Sequence, residues 1–334
     1  MKYIIIDTMN MFFRCKHQAA KGTDAWTKTG FAIHLTLSSA AKVFREHSGD
    51  HIVFALEGGR SWRKDIYPPY KRNREELKEA ITDDQIEEDE MFFEAYADLV
   101  TFLSERSNCT VLEALGAEGD DMVAHWIDVH QNDEHIIISS DTDFYQLLRD
   151  NVTQYNGVTK QLHTITGVFE DNGKPVLDKK TKLPKPAVDP DWELFSKCIR
   201  GDKSDNIFSA FPGVREKGSK NKVGMREAYA DRDTKGYNWN NFMLQRWLDH
   251  NKNEHKVIDD YQRNVNLVDL TRQPEEVKTI MNESIIHAYE KPLVPAVGAY
   301  FLKFCAKYEL ERLAKYPDPI VNMLNAKLPE LGAE

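Results

Sequence analysis

Long apolar runs are missing from this chain. No stretch approaches the roughly 18 residues that a membrane-spanning helix needs, so no transmembrane segment is expected. The N-terminus, MKYIIIDTMN, sets three Ile between one Lys and an acid. That is too short for the apolar core of a secretory signal, and it reads as a strand of a cytoplasmic protein. Cysteine is scarce. The four present (Cys15, Cys109, Cys198 and Cys305) lie far apart with no CxxC pair, which excludes a disulfide framework and a cysteine zinc site. An excess of positive charge is lacking as well. Lys and Arg number 44 against 54 Asp and Glu, a net charge of −10. This excludes a simple nucleic-acid coat, but not a nucleic-acid enzyme whose charge is locally concentrated. Internal repeats and low-complexity tracts are absent. What remains is ordinary: 41% hydrophobic and 29% charged residues over 334 positions, enough for one large soluble domain or two.

Several short apolar runs end abruptly in an acid. Tyr3-Ile4-Ile5-Ile6 meets Asp7, the run from His51 to Leu56 meets Glu57, and Ile136-Ile137-Ile138-Ser139-Ser140 meets Asp141 and Asp143. Continuous β-branched runs bounded by polar residues predict buried parallel strands. Helical patterns lie between them, at 31–45 and 91–103, so the expected class is α/β with a parallel sheet. Ligands of such sheets bind beyond the carboxyl ends of the strands, where these acids arrive. Residues 60–74 (RSWRKDIYPPYKRNR) carry six bases and one acid, whereas 75–94 carry ten acids and one base. The acidic part reads as a solvated helix face. The basic part interleaves aromatics with cations, and Pro68-Pro69 breaks any helix there. Residues 157–191 read as a loop or exposed hairpin. Beyond them helical patterns dominate, at 191–200, 241–250, 255–270 and 297–314. A boundary is therefore expected near residue 190.

Five acidic clusters carry the chemistry: Asp7; Glu57; Glu118, Asp120 and Asp121; Asp141 and Asp143; Asp202 and Asp205. Each has a plain alternative. Glu118 to Asp121 and Asp202 to Asp205 suit helix caps, and Asp141-Thr142-Asp143 suits a turn. Asp7 at the end of a buried strand is harder to explain without a partner. Carboxylates forced together repel, so a cation must hold them. With no Cys or His among them, the set favours Mg²⁺ or Mn²⁺ over zinc. Two such ions stabilise attacking and leaving oxygens in phosphodiester hydrolysis.

The ordered series IIIDTMNMFFR, GRSWRKDIYPPYKRNR, AEGDD, SSDTDFYQLL and GDKSDN resembles the 5′-nuclease superfamily over about residues 1–215. That family comprises flap endonucleases, the 5′–3′ exonuclease domains of bacterial DNA polymerases and phage 5′–3′ exonucleases, including the phage ribonuclease H type. The resemblance implies a mainly parallel sheet flanked by helices, of PIN/5′-nuclease type. It implies a catalytic domain over 1–190 with a helical arch at about 70–100. A helical duplex-binding region over 191–334 would include a helix–hairpin–helix-like element at about 200–230. It implies two Mg²⁺, for which Mn²⁺ can substitute: Asp7, Glu118 and Asp120 around the first; Asp141, Asp143 and Asp205 around the second; Asp121 and Asp202 close by. Glu57 stands where the family usually has Asp. Tyr70, Lys71 and Arg74 match a YKxxR motif, whose Lys and Arg contact the scissile phosphate; the Lys71 ammonium is expected to be free until substrate arrives. Arg60, Arg63, Lys64 and Arg72, with Arg215, Lys217, Lys220 and Lys222, are expected to contact nucleic acid. The family's short Gly hairpin after PGV is replaced by this second basic loop, which does not secure the K⁺ ion that some relatives hold there. The implied substrates are branched DNA, 5′ flaps, nicked duplex and RNA–DNA hybrids, cut by a monomer during primer removal, with replication proteins as further partners and no membrane. The alternatives are a catalytically inactive DNA-structure binder and a PIN-type ribonuclease. A haloacid-dehalogenase-like phosphatase needs an Asp where Met9 stands.

Overall fold

The computed structural model describes residues 1–16, 23–74 and 83–329. In chain order the first elements are β1 (Lys2–Asp7), α1 (Thr8–Lys16), α2 (Ala25–Glu46), β2 (His51–Ala55), α3 (Arg63–Ile66) and α4 (Asp83–Arg106). Next come β3 (Thr110–Leu112), α5 (Gly119–Val129), β4 (Glu134–Ile138), a 3-10 turn (Thr142–Leu147), β5 (Val152–Asn156), β6 (Gln161–Thr164), β7 (Gly167–Glu170) and α6 (Pro190–Arg200). The chain continues with α7 (Met225–Ala230), α8 (Tyr237–Met243), β8 (Arg246–Leu248), β9 (Glu254–Lys256) and α9 (Val257–Val268). It ends with α10 (Glu275–Glu290), α11 (Val297–Lys307), α12 (Glu311–Lys315) and α13 (Asp318–Leu324). Among the described residues no helix is long and apolar enough to cross a membrane.

These elements form two compact units, each discontinuous in sequence. The first is Met1–Ser61, Ile81–Val188 and Gln273–Glu334; the second is Trp62–Ala80 and Asp189–Arg272. One seam falls at 188/189, but the helices from Gln273 onward, expected in the region over 191–334, group with the first unit. The YKxxR segment groups with Asp189–Arg272 and not with the strands that precede it. The arch expected at about 70–100 falls partly at 75–82, outside the described residues; α4 follows from Asp83.

The first unit holds a seven-stranded sheet in the order β3-β2-β1-β4-β5-β6-β7. Its first five strands are parallel, and β6 and β7 turn back antiparallel. Ile4, Ile5 and Ile6 are fully buried, as are Ile52, Val53 and Phe54 beside them. Branched side chains stacked on both faces explain why these runs are strands. The strand order reverses direction at β1, between β2 and β4, the crevice where open α/β sheets bind ligands. The excursion at 157–188 is the expected hairpin, since β6 and β7 lie in it.

The second unit packs two apolar clusters, one around Trp192, Phe195, Trp239 and Phe242, the other around Tyr67, Tyr70, Cys198 and Leu267. Asp189 caps α6 by accepting from the Trp192 amide at 3.0 Å, with Pro190 opening the helix. Gly201 ends it at φ 74, where a Cβ would lie 2.3 Å from the Ile207 carbonyl oxygen.

Two expected helices are corrected. The pattern at 241–250 is not one helix: α8 stops at Met243, and Arg246–Leu248 pairs with Glu254–Lys256. The Asp249 carboxylate accepts from the Asn251 and Asn253 amides, both at 2.8 Å, which closes a tight turn. Trp247 stacks on His255 across the pair at 4.3 Å. The pattern at 297–314 breaks after Lys307, where Glu309 takes φ 53 and Leu310 turns into the core.

Candidate active site

Within the first unit the parallel strands deliver acids to one edge. Asp7 ends β1 and is 6% exposed. Its Oδ2 accepts from the Ser139 hydroxyl at 2.8 Å and its Oδ1 from the Asn10 amide at 3.3 Å. The same Ser139 oxygen accepts from the Asp141 amide at 3.0 Å, so one hydroxyl ties the ends of β1 and β4 together. Gln154 on β5 braces this loop by donating to the Ser139 and Asp141 carbonyls at 3.0 and 2.6 Å. Asp141 then caps the 3-10 turn through the Asp143 amide at 3.0 Å.

Burial pushes the Asp7 carboxyl up to about 7, and the neighbouring Glu57 and Asp141 carboxylates add to the rise; Ser139 and Asn10 oppose it. Among the described residues no ammonium or guanidinium pairs with Asp7. A buried acid with acid neighbours and no cation of its own is a site that needs one.

Glu57, one methylene longer than the family's usual Asp, reaches across to α5, where its Oε2 accepts from the Gly119 amide at 3.3 Å. Gly58 lets the loop after β2 pack closely on the segment before α5: a Cβ there would lie 1.7 Å from the Ala114 carbonyl oxygen. Glu118 is buried at the start of α5 and Asp120 is half-buried one residue inside it. Asp121 has a different task. It is fully buried; its Oδ2 accepts from the Glu118 amide at 3.0 Å and its Oδ1 from Gln273 at 3.1 Å. The capping alternative therefore accounts for Asp121, which holds its neighbours in place.

In the second unit the acid loop lies against the YKxxR segment. Asp202 is held down to about 2: burial would raise it, but the Lys197 ammonium at 2.6 Å and the Ser204 hydroxyl outweigh that. Asp205 faces three partners: the Tyr70 hydroxyl at 3.0 Å, the Arg74 guanidinium at 2.7 Å and the Lys71 ammonium at 3.8 Å. This corrects the expectation that Lys71 is free before substrate arrives. It is ion-paired, with Tyr70 buried beneath it and its ammonium 5.0 Å from that ring.

Arg63 is also corrected. It is 2% exposed, its Nε donates to the Leu267 carbonyl at 2.7 Å, and its guanidinium lies over Trp62. A buried guanidinium with these contacts anchors the fold and presents nothing to nucleic acid. Arg60 and Arg72 are exposed and Lys64 is half-buried. Arg215, Lys217, Lys220 and Lys222 are all exposed on the loop after α6. That loop is ordered by Glu227, whose Oε2 accepts from the Gly218 and Gly224 amides, each at 2.9 Å.

Residues not anticipated from the sequence join the site. Ser139, Asn10, Gln154 and Gly58 orient its acids. Arg14 lies two turns along α1; its Nε and Nη1 are buried with no partner among the described residues. Gly157, just past β5, makes room for it, since a Cβ there would meet Nη2 at 3.1 Å. The Arg14 signal was present in IIIDTMNMFFR, at helical spacing from Asn10.

The sequence matches a family model described as the 5′–3′ exonuclease, N-terminal resolvase-like domain, over residues 2–173. Similar curated proteins include a flap endonuclease of Escherichia phage T5, 28% identical over 206 residues, covering 61% of this chain and 63% of that one. A 5′–3′ exonuclease of Mycoplasmopsis pulmonis is 25% identical over 223 residues, covering 66% and 65%. The chain thus spans just under two thirds of the length of these relatives. Among solved structures, the T5 5′-exonuclease with bound divalent zinc ions matches with a TM-score of 0.61 at 20% identity, covering 87% of this chain and 99% of that one. The phage T5 flap endonuclease in a pseudo-enzyme–product complex with DNA and metal ions matches at 0.59 and 21%, covering 87% and 100%. These likenesses bear out the expected fold, a mainly parallel sheet flanked by helices. With its first 173 residues matched almost throughout, the chain belongs to the 5′–3′ exonuclease, N-terminal resolvase-like domain family.

Proposed function

We propose that this protein is a divalent-metal-dependent nuclease that hydrolyses phosphodiesters at the 5′ ends and flaps of branched DNA. The observation that carries the reading is Asp7: a buried carboxylate, raised to about 7 by burial and by Glu57 and Asp141, with no cation among the described residues. The donors around it are all oxygen, which fits a hard ion such as Mg²⁺, with Mn²⁺ as a substitute.

Asp7, Glu57, Glu118 and Asp120 would hold one ion. Asp141, Asp143 and Asp205 are the ligands that the motif assigns to a second. A bound divalent ion supplies charge against the scissile phosphate and acidity for the attacking water. The chain's own groups do the rest. Ser139 keeps the Asp7 and Asp141 loops in register. Lys71 and Arg74 are the donors for the phosphate as its charge develops, and Arg14 offers two donors that have no partner among the described residues. Arg215, Lys217, Lys220 and Lys222, exposed and in no ion pair among the described residues, suit sequence-independent grip on a duplex. We extend the reading to RNA–DNA hybrids and primer removal in replication, in the cytoplasm, by a monomer with an N-terminal catalytic and a later duplex-binding region.

The test uses a 5′-labelled flap, a nicked duplex, an RNA–DNA hybrid and a single-stranded RNA, each with Mg²⁺ and with EDTA. Metal-dependent release of 5′ products from the flap is expected. Binding without cleavage would identify a silent DNA-structure binder, and cleavage confined to single-stranded RNA a PIN-type ribonuclease; either overturns the reading.

A further inference from the structure

Two short segments of the second unit, about 130 positions apart in sequence, are fastened together along their backbones. The Lys71 amide donates to the Asp205 carbonyl at 2.9 Å. The Asn206 side-chain amide donates to the Pro69 carbonyl at 2.7 Å. The Asn73 amide is shared between the Lys203 and Ser204 carbonyls, both at 3.3 Å. Lys71 and Asn206 both take left-handed backbone conformations, φ 54 and φ 57. Asn tolerates that region, whereas Lys adopts it only when its surroundings impose it. Strain of this kind collects where a side chain must be aimed.

The fastening aims two cations and a hydroxyl at one carboxylate. Arg74 takes Asp205 Oδ1; Tyr70 and Lys71 take Oδ2. Asp202, three residues earlier, has its own partner in Lys197.

We propose that Asn206 and Asn73 are positioning residues that keep Lys71 and Arg74 on Asp205 in the substrate-free protein, so that carboxylate and cations change partners together. This rests on the reading above, in which Asp205 ligates a divalent ion. A carboxylate bound through both oxygens to an ammonium and a guanidinium cannot also accept a dication without like-charge repulsion. When Asp205 turns to the metal ion, Lys71 and Arg74 lose this carboxylate as a partner and can turn towards a phosphate. The Asn73 and Asn206 bonds run to backbone carbonyls, not to the carboxylate, so they outlast the exchange. Lys71 then moves by side-chain rotation alone, with the Tyr70 ring, 5.0 Å from its ammonium, as a resting surface.

The experiment is calorimetric titration of the full chain with Mn²⁺, without DNA. Asp205→Asn identifies the binding event that uses this carboxylate by removing it. Lys71→Ala and Arg74→Ala should each tighten that event about fivefold, the scale of one partly exposed ion pair. Arg232→Ala, a cation of the same unit paired to Asp191, should leave it unchanged. Asn206→Gly keeps the left-handed backbone and removes only the side-chain bond. It should tighten Mn²⁺ and lower kcat on a flap substrate about tenfold with KM little altered, as misaimed cations require. If Asp205→Asn loses no event, the metal assignment falls. If Asp205→Asn loses one but the Lys71 and Arg74 variants bind Mn²⁺ no more tightly, or Arg232→Ala tightens it equally, the exchange falls. If Asn206→Gly matches the wild type in both readouts, Asn206 has no positioning role.

Discussion

The two ends of the central sheet solve the same problem in opposite ways. At the amino end Tyr3 sits in register between His51 on β2 and His135 on β4. Both rings are buried, and burial pushes each down to about 4, so they are neutral. Their partners are internal: His51 meets the Ala326 carbonyl at 3.0 Å and the Thr110 hydroxyl at 2.8 Å, and His135 meets the His130 carbonyl at 2.9 Å. Four residues along the same strand, Asp7 is equally buried and is driven towards neutrality by the same loss of water, yet it has acids for neighbours. One end holds neutral rings whose partners come from the fold, with only the His135 Nδ1 left buried without one among the described residues, and is architecture. The other is left unsatisfied by the fold and is a site. Burial alone does not separate them; the source of the compensating group does.

The sharpest way to break this contrast is Asp7→Asn. Cleavage should fall by at least about 10²–10³-fold, the scale of losing a central transition-state contact. The metal-free variant should nevertheless melt a few degrees higher than the wild type, because a buried charge has gone. A fall in melting temperature would show that Asp7 is compensated internally after all. Next in size, His135→Ala should cost about 2–4 kcal/mol by opening a cavity and orphaning a carbonyl. Its kcat on a flap should match the wild type under conditions where both are folded; a matching loss of kcat would tie the amino end to the chemistry.

The pH dependence should sharpen the comparison further. His51 and His135 have folded values near 4 against an ordinary 6.5, so their contribution is present above about 6.5 and is lost as pH falls towards 4. Asp7, raised from 3.8 to about 7, works in the reverse sense: its contribution is full below about 3.8 and is lost as pH rises through 7. Metal-free protein should therefore lose stability on both sides of a maximum between these limits. Mg²⁺ should restore the alkaline side and leave the acid side alone, measured as melting temperature against pH; restoration of both sides would contradict the assignment. The smallest effect is expected from Ser139→Ala, which frees the Asp7 and Asp141 loops from their shared hydroxyl. A loss of about 1 kcal/mol in stability with about a tenfold lower kcat is expected; an unchanged kcat would make Ser139 a packing residue only.

Much of the site was legible because its parts are local. A β-branched run that stops at an acid announces a buried strand and the residue it delivers, which is how Asp7, Glu57 and Asp141 were placed. What composition does not reveal is whether a charge is buried. Arg63 stands in a basic segment and looked like a phosphate contact, but it serves Leu267 and Trp62. Asp121 shares its acidic run with Glu118 and Asp120 yet closes a helix turn. The pairing of Lys71 with Asp205 depends on two segments meeting across a long separation, and nothing in either segment announces it. The role of Gly58 depends likewise on a carbonyl 56 positions away.

The amino end of the sheet has a temporal consequence. His51 is completed by the carbonyl of Ala326, and the Asn108 amide by that of Leu324. α13 lies on the same core as α2, with Ile320, Met323 and Leu324 buried. Strands near the start of this sequence are thus sealed by some of the last residues described. Contacts this distant in sequence slow folding, and until they form, the apolar flank of α2 and β2 is open to water. A nascent chain released before about residue 320 would hold every catalytic acid and still lack a closed core, the state most prone to aggregate.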